Sequence, residues 1–349
     1  MKSSKSLLIK RIRKPDNNFY NYLRLNRAEF GHSFKSKKKI IDNLKYYPSI
    51  DNLIKKLSKS LDVKNENMLI GLGAESIIKD ILYSYGQEKK NLGFLTPNYM
   101  MYKIYGKLYQ YKSFNLNIDP ETPIKLDFKT LKKFLKEKKI DIFILVNPSH
   151  PFEKNWSISE LVKLLKFCKQ NQILLIIDEV YQGLGSISAI KLIKRFTNLI
   201  IIQSFSKNFG LPGIRVGYAL SIKKNIEKIE SCRLSIELPF YSIKIASQYL
   251  DNKKKTLAIK KQIINARTFA HQQFKKRHIL SFGEHGNSVT FKVRNNIEAK
   301  KIGNFLFKKK ILINYRYKKP FDNFLNITTT NKKNLKFFFL KFDLIKNIN

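Results

Sequence analysis

The chain is most constrained by a pattern that repeats between Met68 and Ser221: a short run apolar at nearly every position, then a longer stretch whose apolar residues return every three or four positions. The runs are NLGFLT (91–96), IDIFILV (140–146), ILLIID (173–178), LIIIQS (199–204) and VGYALS (216–221). Strands this uniformly apolar have to be covered on both faces, the condition of a parallel sheet between helical layers. The stretches LDFKTLKKFLKEKK and SISELVKLLKFCKQNQ supply such cover, because their Leu and Phe residues recur at i, i+3 and i+4 and so share one helix face. The pattern predicts an α/β fold with a large, mostly parallel sheet between helices.

After Ser221 the texture changes. Long lysine-laced helices are expected over 223–250 and 254–276, followed by the short strands SVTFKV (288–293) and ILINY (311–315). That combination reads as a smaller α+β domain. The start of the chain has no core of its own and is expected to pack with it, giving an N-terminal segment 1–44, a large domain 45–235 and a C-terminal small domain 236–349. A chain of 349 residues, 43% hydrophobic, can bury cores of this size.

A formal charge of +42 would ordinarily point to nucleic acid. Here the basic residues are mostly Lys and are spread through every segment alongside Asn and Ile, as a residue-usage bias with solvated lysines would produce, so nucleic acid is not the expected partner. Such a surface would still draw small anions. The two cysteines, Cys168 and Cys232, each lie in a helix-like stretch and are expected in the core. They argue for a reducing compartment and against a disulfide framework or a metal site. The basic N-terminus reaches only Leu7 to Ile9 before charge resumes, too short for a signal-peptide core. No run approaches the roughly 20 apolar residues of a membrane span. A soluble, cytoplasmic protein is expected.

In α/β sheets ligands settle beyond the carboxyl ends of the strands, so the residues after each run are the candidates. They are Asn147-Pro-Ser-His150 after the second run, then Asp178, Glu179 and Tyr181, then Ser204, Ser206 and Lys207, with Arg215 eight residues further on. Upstream, IGLGAES puts Gly73, Ala74 and Glu75 at a helix start, where free backbone N–H groups can hold a phosphate. Together these types meet the needs of pyridoxal phosphate. A lysine in an enclosed, positive neighbourhood is partly deprotonated and can form a Schiff base. A strand-end carboxylate can hold a pyridine nitrogen protonated, a tyrosine can bond the ring oxygen, and Arg, Ser and a helix N-terminus can grip a phosphate.

The strings SFSKNFGLPGIRVGY (204–218) and DEVYQ (178–182), with GLGAES, TPNYMMY (96–102), KYYPSID (45–51) and LRLNRAEF (23–30), carry a specific resemblance. The chain resembles fold-type I pyridoxal-phosphate enzymes of the class I/II aminotransferase group, and within it the histidinol-phosphate aminotransferases. The resemblance runs nearly end to end. It implies Lys207 as the Schiff-base lysine and proton shuttle, Asp178 as partner of the pyridine nitrogen, and Tyr181 on the ring's phenolic oxygen. It implies Tyr99 stacked on the ring, with Ser204, Ser206, Arg215 and the backbone of Gly73, Ala74 and Glu75 on the phosphate. Tyr47 would reach the phosphate of the neighbouring subunit, which implies a homodimer with shared active sites. The implied partners are a small amino donor and a keto acceptor.

Three departures bear on the substrate. The family's NPNNPTG is NPSHPFE here, placing His150 where an Asn bonds the phenolic oxygen; it either takes that bond, with a titration near neutral pH, or is a loop residue without cofactor contact. The stretch FLNITTTN has Asn326 where relatives clamp the substrate α-carboxylate with Arg. In ILINYR, Asn314 stands where an Arg is associated with substrate phosphate, and Arg316 lies two residues on, on the same strand face. These losses point to an amine that lacks an ordinary α-carboxylate, such as a phosphate or phosphonate amine. Two alternatives are a decarboxylase of an amino-acid phosphate and a basic binding protein that has kept the fold without catalysis.

Overall fold

A computed structural model of the chain describes residues 21–22, 47–123, 127–207, 209–235 and 237–345. The motif LRLNRAEF and nearly all of the segment 1–44 lie outside these residues, apart from the short strand β1 (Asn21–Tyr22). The helix α1 (Asp51–Leu61) leads into a seven-stranded sheet. Its strands are β2 (Met68–Gly71), β3 (Asn91–Thr96), β4 (Lys112–Asn117), β5 (Ile142–Val146), β6 (Leu174–Asp178), β7 (Leu199–Ser204) and β8 (Gly217–Leu220). They lie in the order β2-β8-β7-β6-β5-β3-β4, and only β8 runs against its neighbours.

Because successive side chains of a strand point to opposite faces, each apolar run feeds two cores. Phe143, Leu145, Leu175, Ile177 and Ile201 join Leu131, Leu161 and Leu164 on one face. Ile142, Ile144, Ile176, Ile200 and Ile202 join Ile77, Ile78 and Ile81 on the other. Each such side chain contributes about 1.5–3 kcal/mol by leaving water. The covering helices are α2 (Gly73–Tyr85), α3 (Met101–Leu108), α4 (Phe128–Glu137) and α5 (Ile158–Gln170). Asp127 caps α4, and Ser157 with Glu160 forms a capping box at α5, satisfying N–H groups that a helix start leaves open. The expected α/β layer is present. It also has an edge strand, β4, that no apolar run announced, because an edge strand alternates exposed and half-buried positions.

The helix expected over 223–250 is two helices, α6 (Lys223–Glu230) and α7 (Phe240–Asp251). Pro239 sits at the N-cap of α7, and the residue before a proline is pushed out of helical geometry, so the turns cannot run on. Cys232 falls in the break and is exposed, against the expectation of core packing, whereas Cys168 is buried in α5.

The long α8 (Lys253–Lys275) spans two cores. Ile259 and Ile263 pack with the large sheet, whereas Ala266, Ala270 and Phe274 pack with α9 (Asn296–Lys308) and α10 (Lys332–Asp343). The second core also covers the sheet made by β9 (Ser281–Phe282), β10 (Ser288–Lys292) and β12 (Phe324–Thr328). β11 (Ile311–Leu312) pairs in parallel with β1, which ties that piece of the N-terminal segment to the small domain. α8 thus contributes to both cores.

Candidate active site

Asp178 ends β6 and is 2% exposed. Its Oδ1 accepts from the Val180 N–H at 3.0 Å and its Oδ2 from the Tyr102 hydroxyl at 2.5 Å. Burial raises its pKa, opposed by Tyr102, Val180 and Lys207. Tyr102 lies in α3 with no exposed surface, edge-on to Tyr99 at 5.8 Å. The hydroxyls of Tyr99 and Tyr105 donate to the two oxygens of Glu75, at 2.8 and 3.0 Å. Glu75 therefore offers its carboxylate to α3, beside whatever its backbone does at the start of α2.

Lys207 follows β7 in a turn. Burial pulls its pKa from 10.5 down to about 8; Arg215 pulls the same way, and Asp178 resists. No carboxylate lies within ion-pair distance of Lys207 among the described residues. Its Nζ is 5.6 Å from the centre of the Tyr181 ring, and His150 stacks on that ring at 5.2 Å with 14° between the planes. Burial first, then Lys207, holds His150 neutral, with a pKa of about 3. This corrects the expectation that His150 titrates near neutral pH. Its Nδ1 is buried without a hydrogen-bond partner among the described residues.

The third cluster is a cradle. Gly73 opens α2 at φ +79°, where a side chain would be strained, and a Cβ there would stand 2.8 Å from Arg215 Nη2. Gly217, in β8, lets its backbone press on the same turn, since a Cβ there would stand 2.4 Å from Ala74 N. Arg215, at φ 53°, donates to the Pro212 carbonyl at 3.5 Å, and the Ser204 hydroxyl donates to Ser206 Oγ at 3.0 Å. Helix N–H groups, a guanidinium and two hydroxyls make a site for an anion.

Two further carboxylates brace the loops around these groups. Glu179 accepts from the Ser188 hydroxyl, the Ala189 N–H and the Gln203 amide at 2.5–2.7 Å, and so ties down the loop that follows Tyr181. Burial pushes its pKa up to about 7. Glu153, at φ 56°, reaches from the His150 loop into the small domain. It accepts from the Gly286 N–H at 2.6 Å, the Ser288 hydroxyl at 2.9 Å and the Ser288 N–H at 3.1 Å.

The small-domain candidates sit differently. Asn326, in β12 and 1% exposed, donates its amide hydrogens to Thr290 and Ser288 at 2.8 and 3.1 Å, and Ser288 in turn bonds Glu153. Asn314 pairs with Asn326 through the backbone. Arg316 is exposed and turns back on Tyr315, donating to its hydroxyl at 3.0 Å. Tyr47 is 88% exposed and lines a surface cavity of about 550 Å³ with Lys56, Phe240 and Asp251. The hydrogen bonds of Asn314 and Arg316 described above lie within the small domain, and Tyr47 lies at the separate surface cavity. The first three clusters gather the other candidates: Lys207, Tyr181, His150, Asp178 and Tyr99 near one another, with Gly73, Ala74, Glu75, Ser204, Ser206 and Arg215 beside them. Sequence reasoning missed Tyr102 and Glu153. The second tyrosine of TPNYMMY and the Glu of NPSHPFE were the only signals.

A family model for aminotransferase class I and II matches residues 26–336. The chain belongs to that family. This aminotransferase is 28% identical over 309 residues to the histidinol-phosphate aminotransferase of Clostridium acetobutylicum, covering 86% of this chain and 84% of the relative. It is 28% identical over 213 residues to a dihydroxyacetone phosphate transaminase of Campylobacter jejuni, covering 60% of this chain and 57% of the relative. Its fold matches that of the histidinol-phosphate aminotransferase of Sinorhizobium meliloti, solved with pyridoxal-5'-phosphate, with a TM-score of 0.83 at 17% identity and coverage of 95% and 92% of the two chains.

The aminotransferase is accordingly a pyridoxal-phosphate enzyme of fold type I. Its own geometry fits the cofactor. The Gly73 turn leaves room under Arg215 that a Cβ would fill, and the surroundings of Lys207 lower its pKa so that part of it is neutral at ordinary pH. The buried His150 Nδ1 has no hydrogen-bond partner among the described residues, as an atom that meets the cofactor would. No described helix is long and apolar enough to cross a membrane.

Proposed function

We propose that this aminotransferase converts a small amine that carries a phosphate or phosphonate group and lacks an α-carboxylate. The observation that carries the reading is the engagement of Asn326. Where an α-carboxylate would need a cation, this chain has a neutral amide whose hydrogens are already bonded to Ser288 and Thr290, with the Glu153 carboxylate one bond further on. A substrate carboxylate brought there would meet no guanidinium. The similarity to a transaminase named for dihydroxyacetone phosphate, a compound with a phosphate and no carboxylate, supports the reading.

The cofactor supplies an electron sink that stabilises negative charge on the substrate carbon. Asp178 would keep its ring nitrogen protonated, Tyr181 and His150 would bond its phenolic oxygen, and Tyr99 would cover its face. Ser204, Ser206, Arg215 and the backbone of Gly73, Ala74 and Glu75 would hold its phosphate. Lys207 Nζ, neutral in half the molecules near pH 8, would take the proton from the carbon that bears the amine and hand it on. Arg316, the cation nearest the Asn314–Asn326 pair in sequence, would turn from Tyr315 to the substrate anion. The exposed Tyr47 would reach the cofactor phosphate of a second subunit in a homodimer, and the protein would act in the cytoplasm.

The test is a panel of amines offered to the holoenzyme, with and without a phosphonate group and with and without an α-carboxylate, followed through the visible absorbance of bound cofactor. Conversion by 2-aminoethylphosphonate well above that by α-amino acids is expected, with loss on Arg316→Ala. Turnover of α-amino acids at or above that of 2-aminoethylphosphonate, or phosphonate-amine turnover that survives Arg316→Ala, would overturn the assignment; histidinol phosphate, which bears a phosphate and no α-carboxylate, falls within the proposed class. Release of carbon dioxide without a keto acceptor would place the reaction among decarboxylations.

A further inference from the structure

We infer that Tyr102 is a positioning residue for the reaction: its buried hydroxyl donates to Asp178 Oδ2 and holds that carboxylate in one orientation toward the cofactor's ring nitrogen. The inference rests on the assignment of Asp178 to that nitrogen. A strand-end aspartate can rotate, and among the described residues two donors contact this one, the Val180 N–H on Oδ1 and the Tyr102 hydroxyl on Oδ2. With one donor on each oxygen the carboxylate plane is fixed. Tyr102 itself has little freedom, since it has no exposed surface and packs between Phe94 and Tyr99 at ring distances of 6.4 and 5.8 Å.

The bond also decides charge. In a site this buried the neutral acid is favoured, and a neutral acid cannot balance a protonated pyridine. Burial does raise the pKa of Asp178, and the Tyr102 hydroxyl is the largest of the influences that oppose it. Tyr102 is pushed well above 10 by burial and by Asp178, so it keeps its proton at any working pH and acts as a permanent donor, not as an acid or base. Its helix adds a second link. Tyr99, just before α3, and Tyr102 and Tyr105 within it are spaced by three, and the outer two bond Glu75 at the start of α2. One helix thus holds both the carboxylate meant for the ring and the turn meant for the phosphate.

The test uses Tyr102→Phe, which removes one oxygen and keeps the ring, in the full-length protein. The cofactor dissociation constant is expected to rise about tenfold, as for loss of one hydrogen bond to a charged group. A cofactor analogue with C–H in place of the ring nitrogen should bind wild type and variant alike. In an Asp178→Asn background Tyr102→Phe should change nothing further. Equal weakening for cofactor and analogue, or wild-type affinity in Tyr102→Phe, would overturn the inference. If Asp178→Asn alone left cofactor binding and turnover intact, the assignment of Asp178 would fail instead. Placing 3-fluorotyrosine at position 102 gives a readout that does not depend on the Phe variant folding: a more acidic hydroxyl should tighten binding of the cofactor over the analogue, and no change would count against Tyr102.

Discussion

Replacing Glu153 with Gln should change how the stability of this protein depends on pH. Glu153 is 2% exposed, and its Oε2 also meets the His285 N–H at 3.3 Å, so four donors converge on one carboxylate. Burial nevertheless pushes its pKa from 4.5 up to about 7, against Gly286, Arg267 and Ser288. The folded pKa lies above the unfolded one, so folding favours the protonated form. The stability this contributes is complete below the unfolded value near 4.5 and is lost as pH rises through 7. Between pH 5.5 and 8 the loss works out at about 2 kcal/mol for a displacement of this size. Glu153→Gln stays neutral throughout, so its unfolding free energy, measured in urea with cofactor present, should fall by about 2 kcal/mol less than that of wild type over the same range. Any fixed cost of setting an amide NH2 against a backbone N–H applies at both pH values and cancels. Parallel curves would mean that Glu153 does not titrate in this window. In that case the four donors hold the group ionised across the window, and the reasoning from burial would be wrong.

Two further outcomes are expected. Capture of added cofactor by the apo-protein should quicken with pH around a midpoint near 8, set by Lys207, and Lys207→Ala should abolish the visible band of bound cofactor; a midpoint near 10 would show that its surroundings do not depress the lysine. Gly217→Ala, whose Cβ would stand 2.4 Å from Ala74 N, should cost about 1–3 kcal/mol of stability as overpacking does and should weaken cofactor binding; unchanged affinity would show that the Gly73–Ala74 turn is not part of the cofactor site.

Most of the candidate site was legible because each member sits in a short local string at the end of an apolar run. A strand that must be covered on both faces announces itself over five or six residues, and the group that follows it is delivered to the sheet's edge whatever the rest of the chain does. Asp178, Lys207 and the Gly73 turn are of that kind. The break before α7 was missed because helical periodicity resumes on both sides of Pro239, and β4 because an edge strand needs no apolar run.

The sequence by itself determined the layered α/β architecture, the family resemblance and the residues that can serve pyridoxal phosphate, since periodicity and strand-end chemistry are written within a few positions. Only the tertiary structure decided which tyrosine of α3 meets Asp178, 76 residues away, and that Asn326 bonds Ser288 and Thr290. It alone placed Glu153 against a hairpin more than 130 residues distant. Those partnerships depend on the rotation of a helix and on the docking of one core against another. Packing sets both over the whole chain, and no local pattern contains them.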